Sequence, residues 1–181
     1  MRQVAITAVG EDRPGIVAGV CRVLFEAGGN LRDTSMTILS GQFAMILIVA
    51  VPPALDLPAV EKHLEALRRD LGIATFLREL PEGQPMASGR PEQDEYLVTV
   101  AGADHPGIVF RVAETMARRG VNITDLNTRV LSEDRQPVYL MFLEVIPPPG
   151  LDMDALSREL TELGQQLKVE VQVRPLDTAA L

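Results

Sequence analysis

The chain has 181 residues, 46% of them hydrophobic and 23% charged, which is typical of a globular protein with one or two domains. Its net charge is −8 without a run of Lys or Arg, which argues against direct binding to nucleic acid. No stretch approaches the roughly 18 apolar residues of a membrane span, so no membrane partner is expected. The single cysteine, Cys21, cannot form a disulfide within the chain. Charged residues at Glu11–Arg13 come too early for the apolar region of a signal peptide, so we expect a cytoplasmic location. No Cys/His spacing predicts a metal or another cofactor.

An internal repeat organises the whole chain. A shift of 92 residues places residues 7–33 on residues 99–125, with identical residues at eleven positions, and farther along the shift becomes 96. The four additional residues fall where Ser40-Gly41, a two-residue hairpin signal, is replaced by residues 132–137, which predicts a longer loop. Because the two registers are broken only at a turn, the sequence predicts a duplicated domain.

The elements of the first copy follow one another with clear signals. Residues 4–9 are short, β-branched and apolar, which is typical of a strand. Asp12 can cap a helix that has Pro14 in its first turn and ends at Gly28 in a left-handed conformation. A second amphipathic helix follows Asp56, since its apolar residues recur at steps of three and four. The other predicted elements are strands at residues 30–39, 43–51 and 73–80.

The second copy repeats this order between residues 96 and 174, so each copy is β-α-β-β-α-β. The predicted fold class is therefore α+β, with two ferredoxin-like domains that each have an antiparallel sheet and two helices on one face. The strand at residues 43–51 is apolar on both faces, which predicts cover by the other copy or by another chain, in a homodimer or higher oligomer. The predicted domains are residues 1–80 and 95–176, with a linker at 81–94 and a tail at 177–181.

Two motifs in each copy resemble those of the ACT domain. A strand runs into Gly-x-Asp-x-Pro-Gly-Ile-Val at Gly10 and Gly102, and Gly-Gly-Asn-Leu or Gly-Val-Asn-Ile follows the first helix, with an Asp three residues after the Asn. ACT domains are small ferredoxin-like modules that bind amino acids and regulate the proteins to which they are attached. A tandem pair of this length is similar to the glycine cleavage system transcriptional repressor family, which acts by contacting a DNA-binding regulator. The resemblance implies amino-acid-responsive regulation through a protein partner.

The loop before the first helix of each copy is the candidate ligand site. A helix N-terminus offers unpaired N–H groups that suit a carboxylate, and Gly15 leaves that backbone open to a ligand. The Asn30 amide can hydrogen-bond to both the carboxylate and the ammonium of an amino acid, and Asp12 can form an ion pair with the ammonium. The resemblance places this loop and this Asn at an interface between ACT modules and implies a small ligand, glycine first and serine next. The candidate residues are Asp12, Arg13, Gly15, Ile16 and Asn30, and in the second copy Asp104, His105, Gly107, Ile108 and Asn122.

The same motifs also have a purely structural interpretation, since Asp-x-Pro-Gly starts a helix and Gly-Asn forms a turn without any ligand. The copies differ as well, because Arg111 replaces Gly19 and Val121 replaces Gly29, so two sites would not be equivalent and the first has more room. Without a catalytic constellation, a phosphate loop or metal-ligand spacing, the chain is not predicted to be an enzyme. Three functions stay open: an amino-acid sensor that controls a partner, a structural dimerisation module, and a detached regulatory subunit of a metabolic enzyme.

Overall fold

The computed structural model describes residues 2–81, 94–133 and 136–176. The chain divides into two units, Met1–Gly89 and Arg90–Leu181. Within the described residues, each unit has four strands and two helices, and its strands form one antiparallel sheet. This arrangement confirms the predicted α+β class with two ferredoxin-like folds.

The elements follow the predicted order in both units. The first unit has the sheet order β2-β3-β1-β4, and its elements are β1 (Arg2–Glu11), α1 (Ile16–Glu26), β2 (Asn30–Leu39), β3 (Gln42–Val51), α2 (Leu57–Leu71) and β4 (Ile73–Leu80). The second unit has the order β6-β7-β5-β8, and its elements are β5 (Glu95–Ala103), α3 (Ile108–Arg118), β6 (Asn122–Glu133), β7 (Gln136–Ile146), α4 (Met153–Leu167) and β8 (Val169–Leu176). In both sheets the first strand of the unit lies in the interior and the second strand lies at an edge.

The first helix of the first unit begins later than the sequence indicated. Its N-cap is Gly15, with φ 96°, and the helix starts at Ile16, so Pro14 precedes the helix and Asp12 does not cap it. The left-handed φ of Gly15 turns the chain sharply into the helix. Asp12 therefore lies three residues before the N-cap. The prediction for the other end is confirmed, because Gly28 adopts φ 71° immediately after the helix.

The insertion in the second unit lengthens a hairpin. Residues 132–137 were expected to form a loop, but β6 runs to Glu133 and β7 starts at Gln136, with these two residues paired. The expectation of a longer loop is therefore wrong. The physical reason is that β6 is an edge strand, which polar residues can extend as readily as apolar ones. The turn itself, residues 134–135, lies outside the described residues.

One face of each sheet packs against the two helices of its unit. The helix-facing side chains of β3, among them Phe43, Leu47 and Val49, are buried in the first core. On the opposite face Ile46 of the same strand keeps 46% of its surface exposed. The strand is thus apolar on both faces, and the expected cover of its second face by another protein surface stays a prediction.

The predicted linker and tail fall almost entirely outside the described residues, which include Pro81 and Asp94 but none of residues 82–93 and 177–181. The predicted domain boundaries and the predicted packing of the two copies therefore stay predictions. Cys21 is half-buried on α1, as a small apolar residue would be. In the part of the chain that the structure describes, no helix is both long and apolar enough to cross a membrane.

Candidate functional site

The loop between β1 and α1 holds three of the five candidate residues of the first unit, and a fourth, Ile16, is the first residue of α1. Its backbone is fixed at one end by the Asp12 N–H, which donates to the Gly41 carbonyl oxygen at 2.9 Å, and at the other by the Gly19 N–H, which donates to the Gly15 oxygen at 2.8 Å. A Cβ atom built on Gly15 would contact nothing within 4 Å, so this face of the loop is open to a ligand. Ile16 is only 2% exposed, so its side chain belongs to the core and only its backbone can face a ligand.

A cleft of about 270 Å³ begins at this loop and continues between α1 and α2. Arg22 and Asp70 are among the residues that line it, and neither forms an ion pair with another residue of 2–81. Their opposite charges are complementary to the carboxylate and ammonium of an amino acid. The cleft is lined by Gly15, Ala18, Gly19, Arg22, Leu67, Asp70 and Leu71.

Sequence reasoning missed both charged residues of the cleft. Arg22 could have been found, because it continues the helical spacing of Gly15, Ala18 and Gly19 along one face of α1. Asp70 carried no such signal, since it lies on the other helix of the unit and only the packing of the two helices brings it to the cleft.

The second unit keeps the loop but changes the chemistry beside it. Gly107 repeats the left-handed turn with φ 99°, and Ile108 is buried to 2% exposure. The repeat places Glu114 at the position of Arg22 and Gln166 at the position of Asp70, so neither charge of the cleft is retained. The prediction that the two sites differ therefore has a specific chemical basis, and the cleft with both charges belongs to the first unit.

Arg13 and His105 are engaged by their own units. The Arg13 guanidinium donates to the Glu11 carboxylate at 2.6 Å and lies 3.8 Å from the position of a Cβ on Gly72, at the end of α2. His105 Nε2 lies 2.6 Å from the Leu167 carbonyl oxygen at the end of α4. The His105 bond ties the second loop to the C-terminal end of α4, and the Arg13 guanidinium lies near the C-terminal end of α2, where the helix dipole favours a donor or a cation.

The two asparagines lie at the far end of the sheet from the loop. Asn30 pairs with Ala50, which pairs with Gln3, whereas the loop follows Glu11. Gln3 and Glu11 stand eight residues apart on β1, which is about 26 Å at roughly 3.3 Å per residue. The register of Asn122 in the second unit is equivalent. The structure therefore brings Asp12, Arg13, Gly15 and Ile16 together, but no single unit brings its asparagine to the same small ligand.

Tyr139 is a further residue near the second loop. It lies on β7 opposite Gly102 and is 7% exposed. Burial raises the pKa of the Tyr139 phenol, and the nearby Asp104 carboxylate raises it further. The first unit has Phe43 at the equivalent position, so the hydroxyl group is specific to the second unit. The repeat register showed this difference, but nothing in the sequence alone placed the phenol beside the loop.

We expect the stability of the second unit to fall as the pH rises past about 10, the ordinary pKa of tyrosine. A pKa raised in the folded state means that folding favours the neutral phenol, so this stabilisation is complete below the unfolded pKa and is lost above it. Urea unfolding of the wild type and Tyr139→Phe at about pH 8 and above about pH 10 measures the effect. An equal loss of stability in both proteins would contradict it.

Comparisons with known proteins agree with the fold. The sequence profile of the ACT domain matches residues 2–78 and 95–174. A UPF0237 protein of Methanocaldococcus jannaschii is 38% identical over 79 residues, which are 43% of this chain and 88% of that protein. The crystal structure of an unknown protein from Galdieria sulphuraria has a TM-score of 0.79 at 25% identity, over 97% of this chain and 98% of that one.

A second solved structure spans both units. It is that of a candidate glycine cleavage system transcriptional repressor, with a TM-score of 0.70 at 21% identity, over 97% of each chain. At this identity the likeness concerns the fold. Since the profile match covers most of both units, the chain belongs to the ACT domain family, with one ACT domain in each unit.

Proposed function

We propose that this protein is an amino-acid-responsive regulator, which binds a small amino acid in its first unit and thereby controls a partner protein. The observation that supports this most strongly is the cleft beside the β1–α1 loop, where Gly15, Arg22 and Asp70 line a space of about 270 Å³. The carboxylate of the amino acid would contact the N–H groups and Arg22, and its ammonium would contact Asp70. Glycine and serine are the first ligands to test, since their side chains need the least space.

The partner that we propose is a DNA-binding regulator contacted through protein surfaces in the cytoplasm. A net charge of −8 disfavours direct contact with DNA. The name of one structural neighbour, a candidate repressor of the glycine cleavage system, agrees with such a role and with glycine as a ligand. Within residues 2–81, 94–133 and 136–176 no cluster of His, Cys, Asp and Glu could hold a metal ion. We propose a regulatory protein rather than an enzyme, because both units match the ACT domain.

The asparagines fit this proposal only if two ACT modules build the ligand site. Asn30 is exposed at the start of an edge strand, and its amide has no hydrogen-bond partner among the described residues. We therefore propose that the Asp12–Ile16 loop and the Arg22–Asp70 cleft form the primary site. An asparagine would complete the site from a neighbouring module.

A thermal-shift screen of the purified chain against the common amino acids tests the proposed function. Binding to the folded state alone stabilises it by about 2.7 kcal/mol at about 100 times the Kd, so glycine or serine is expected to raise the Tm by several degrees. Glycinamide, which lacks the carboxylate, is the matched control and should have no effect. If no amino acid raises the Tm at millimolar concentration, the proposed amino-acid sensor is wrong, and the two other functions, a structural dimerisation module and a detached regulatory subunit, are left.

A further inference from the structure

The open face of the second sheet, opposite α3 and α4, carries an ordered pattern of charges. The helix-facing side chains of its strands, such as Val100, Met141 and Val171, are buried in the core, so residues of the alternate parity lie on the open face. These residues form three rows across the four strands β6, β7, β5 and β8. The rows are Asp125–Glu144–Leu97–Arg174, Asn127–Phe142–Thr99–Gln172 and Arg129–Leu140–Ala101–Glu170.

Both edges of this face repeat one triplet: an acid, an amide and an arginine at alternate positions. On β6, Asn127 Nδ2 donates to Asp125 Oδ2 at 2.5 Å, and Arg129 follows without an ion pair among the described residues. On β8, the Gln172 amide donates to Glu170 at 2.6 Å and accepts from Arg174 at 2.7 Å. All six side chains of the two triplets are exposed.

The two triplets point in opposite directions. Each strand is antiparallel to its neighbour, so β6 and β8, separated by β7 and β5, are antiparallel as well. The acid of one edge therefore shares a row with the arginine of the other, Asp125 with Arg174 and Arg129 with Glu170. The open face has negative and positive corners in alternation around an apolar centre, which is a charge pattern complementary to itself.

We propose that this open face is the interface of a homodimer, in which the same face of a second copy packs on it about a two-fold axis along the strands. Such an axis exchanges the two edges of the sheet. Asp125 then faces Arg174 of the second copy, and Arg129 faces its Glu170. By symmetry each contact occurs twice, so the dimer contains four pairs of opposite charges. This inference goes beyond the proposed function and does not depend on it.

The apolar centre selects this axis over one that runs across the strands. About an axis along the strands, Phe142 of one copy packs on Thr99 of the other, and Leu140 packs on Ala101, so large side chains meet small ones. An axis across the strands would place Phe142 on Phe142 and leave a gap between two threonines. The corner charges pair with opposite charges about either axis, so the size of the central side chains selects the axis along the strands.

Repulsion between two carboxylates on the open face also supports a second copy as the partner. Asp125 and Glu144 lie directly opposite each other on neighbouring strands, an arrangement that destabilises a sheet unless a cation neutralises it. No arginine or lysine of the described residues forms an ion pair with either carboxylate. In the proposed dimer, Arg174 of the second copy faces Asp125 and brings a cation next to this pair, while Glu144 faces Leu97 of the second copy.

The open face of the first unit lacks half of this pattern. Its charged row is kept by Asp33 and Arg78, but the repeat places Thr37 and Ala74 where the second unit has Arg129 and Glu170. A first unit packed on this face would therefore leave Arg129 and Glu170 without partners. A contact between two second units pairs all four charged corners, whereas a contact with a first unit does not. Charge reversal at Arg129 distinguishes these two contacts.

Sedimentation velocity of the full chain tests the proposal with three variants. Arg129→Glu places two new repulsive contacts in the dimer and is expected to raise the dimer Kd about tenfold or more, and Arg129→Glu/Glu170→Arg restores attraction and the wild-type Kd. The control Arg158→Glu, at an exposed position of α4, changes the net charge equally and should leave the Kd unchanged. The difference between wild type and Arg129→Glu should shrink at about 1 M salt, where charges are screened beyond about 3 Å.

Several results would overturn this interface. The wild type could be monomeric at about 100 μM, a hundredfold above a micromolar Kd. Arg129→Glu could dimerise as tightly as the wild type, which would indicate a different face, including that of the first unit. The double variant could stay monomeric while its circular dichroism and thermal melt match those of the wild type. Equal weakening by Arg129→Glu and Arg158→Glu would assign the effect to net charge alone.

Discussion

Replacing Arg22 by alanine is expected to weaken the binding of the small amino acid by about ten- to a hundredfold. Arg22 lines the cleft that begins at Gly15, where its guanidinium would form a charged hydrogen bond with the ligand carboxylate. Losing such a bond costs about 1.5–3 kcal/mol, and each 1.4 kcal/mol is tenfold in affinity. Because Arg22 is exposed and forms no ion pair within the first unit's described residues, its removal should leave the fold intact. Calorimetric titration with glycine or serine measures the change.

The repeat supplies matched controls for this titration. Glu114 occupies the equivalent position on α3, and Glu114→Ala should bind the ligand as the wild type does. Asn30→Ala and Asn122→Ala are expected to weaken binding only if a neighbouring module contributes its asparagine to the site. If Arg22→Ala binds normally while Asn30→Ala does not, the ligand lies at the start of β2 and the assignment to the cleft is wrong.

Replacing Leu160 by alanine is expected to lower the free energy of unfolding of the second unit by about 2–5 kcal/mol. Leu160 is 0% exposed at the centre of the apolar stripe of α4, so truncation removes buried methyl groups and leaves a cavity that the packed sheet cannot fill. Leu64 is the equivalent residue of α2, with 1% exposure, and Leu64→Ala should cost the first unit a similar amount. Denaturant unfolding followed by circular dichroism measures both.

Glu162→Ala is the matched control for this experiment, because Glu162 lies on the exposed face of the same helix. Its expected effect is within about 0.5 kcal/mol. A loss below about 1 kcal/mol for both leucine variants would show that neither side chain lies in a packed core. A loss for only one of them would contradict the equivalence of the two folds.

The fold followed from the sequence because its signals were repeated and physically independent. Three signals each occurred twice at matching positions: the alternation of the strands, the apolar stripes of α2 and α4, and the glycines after the first helices. All three indicated the same topology. The hairpin between β6 and β7 was not predicted correctly, since an edge strand needs no hydrophobic pattern and its end has no compositional mark. The start of α1 was missed by a few residues because Asp12 resembles a cap, whereas Gly15 makes the turn.

The candidate site was predicted in part. The Asp12–Ile16 loop lies at a helix start that is open to a ligand, as its residues indicated. The distance between this loop and Asn30 was implied by the predicted β-α-β order, because α1 runs back along the sheet before β2 begins, and it was overlooked because both residues matched one motif. Asp70 could not be found at all, since its place in the cleft depends on the packing of two helices. Local chemistry was readable, whereas the contacts between elements required the structure.

An NMR titration of the ¹⁵N-labelled chain with glycine, and then with serine, tests the central claim most directly, because it reports both binding and its place. The proposed function predicts saturable shifts concentrated in the amide signals of Gly15 to Gly19 and around Arg22 and Asp70, with smaller changes at the equivalent positions of the second unit. Titration with glycinamide should produce no such shifts. Saturable shifts confined to other parts of the chain, or none with any amino acid, would contradict the account.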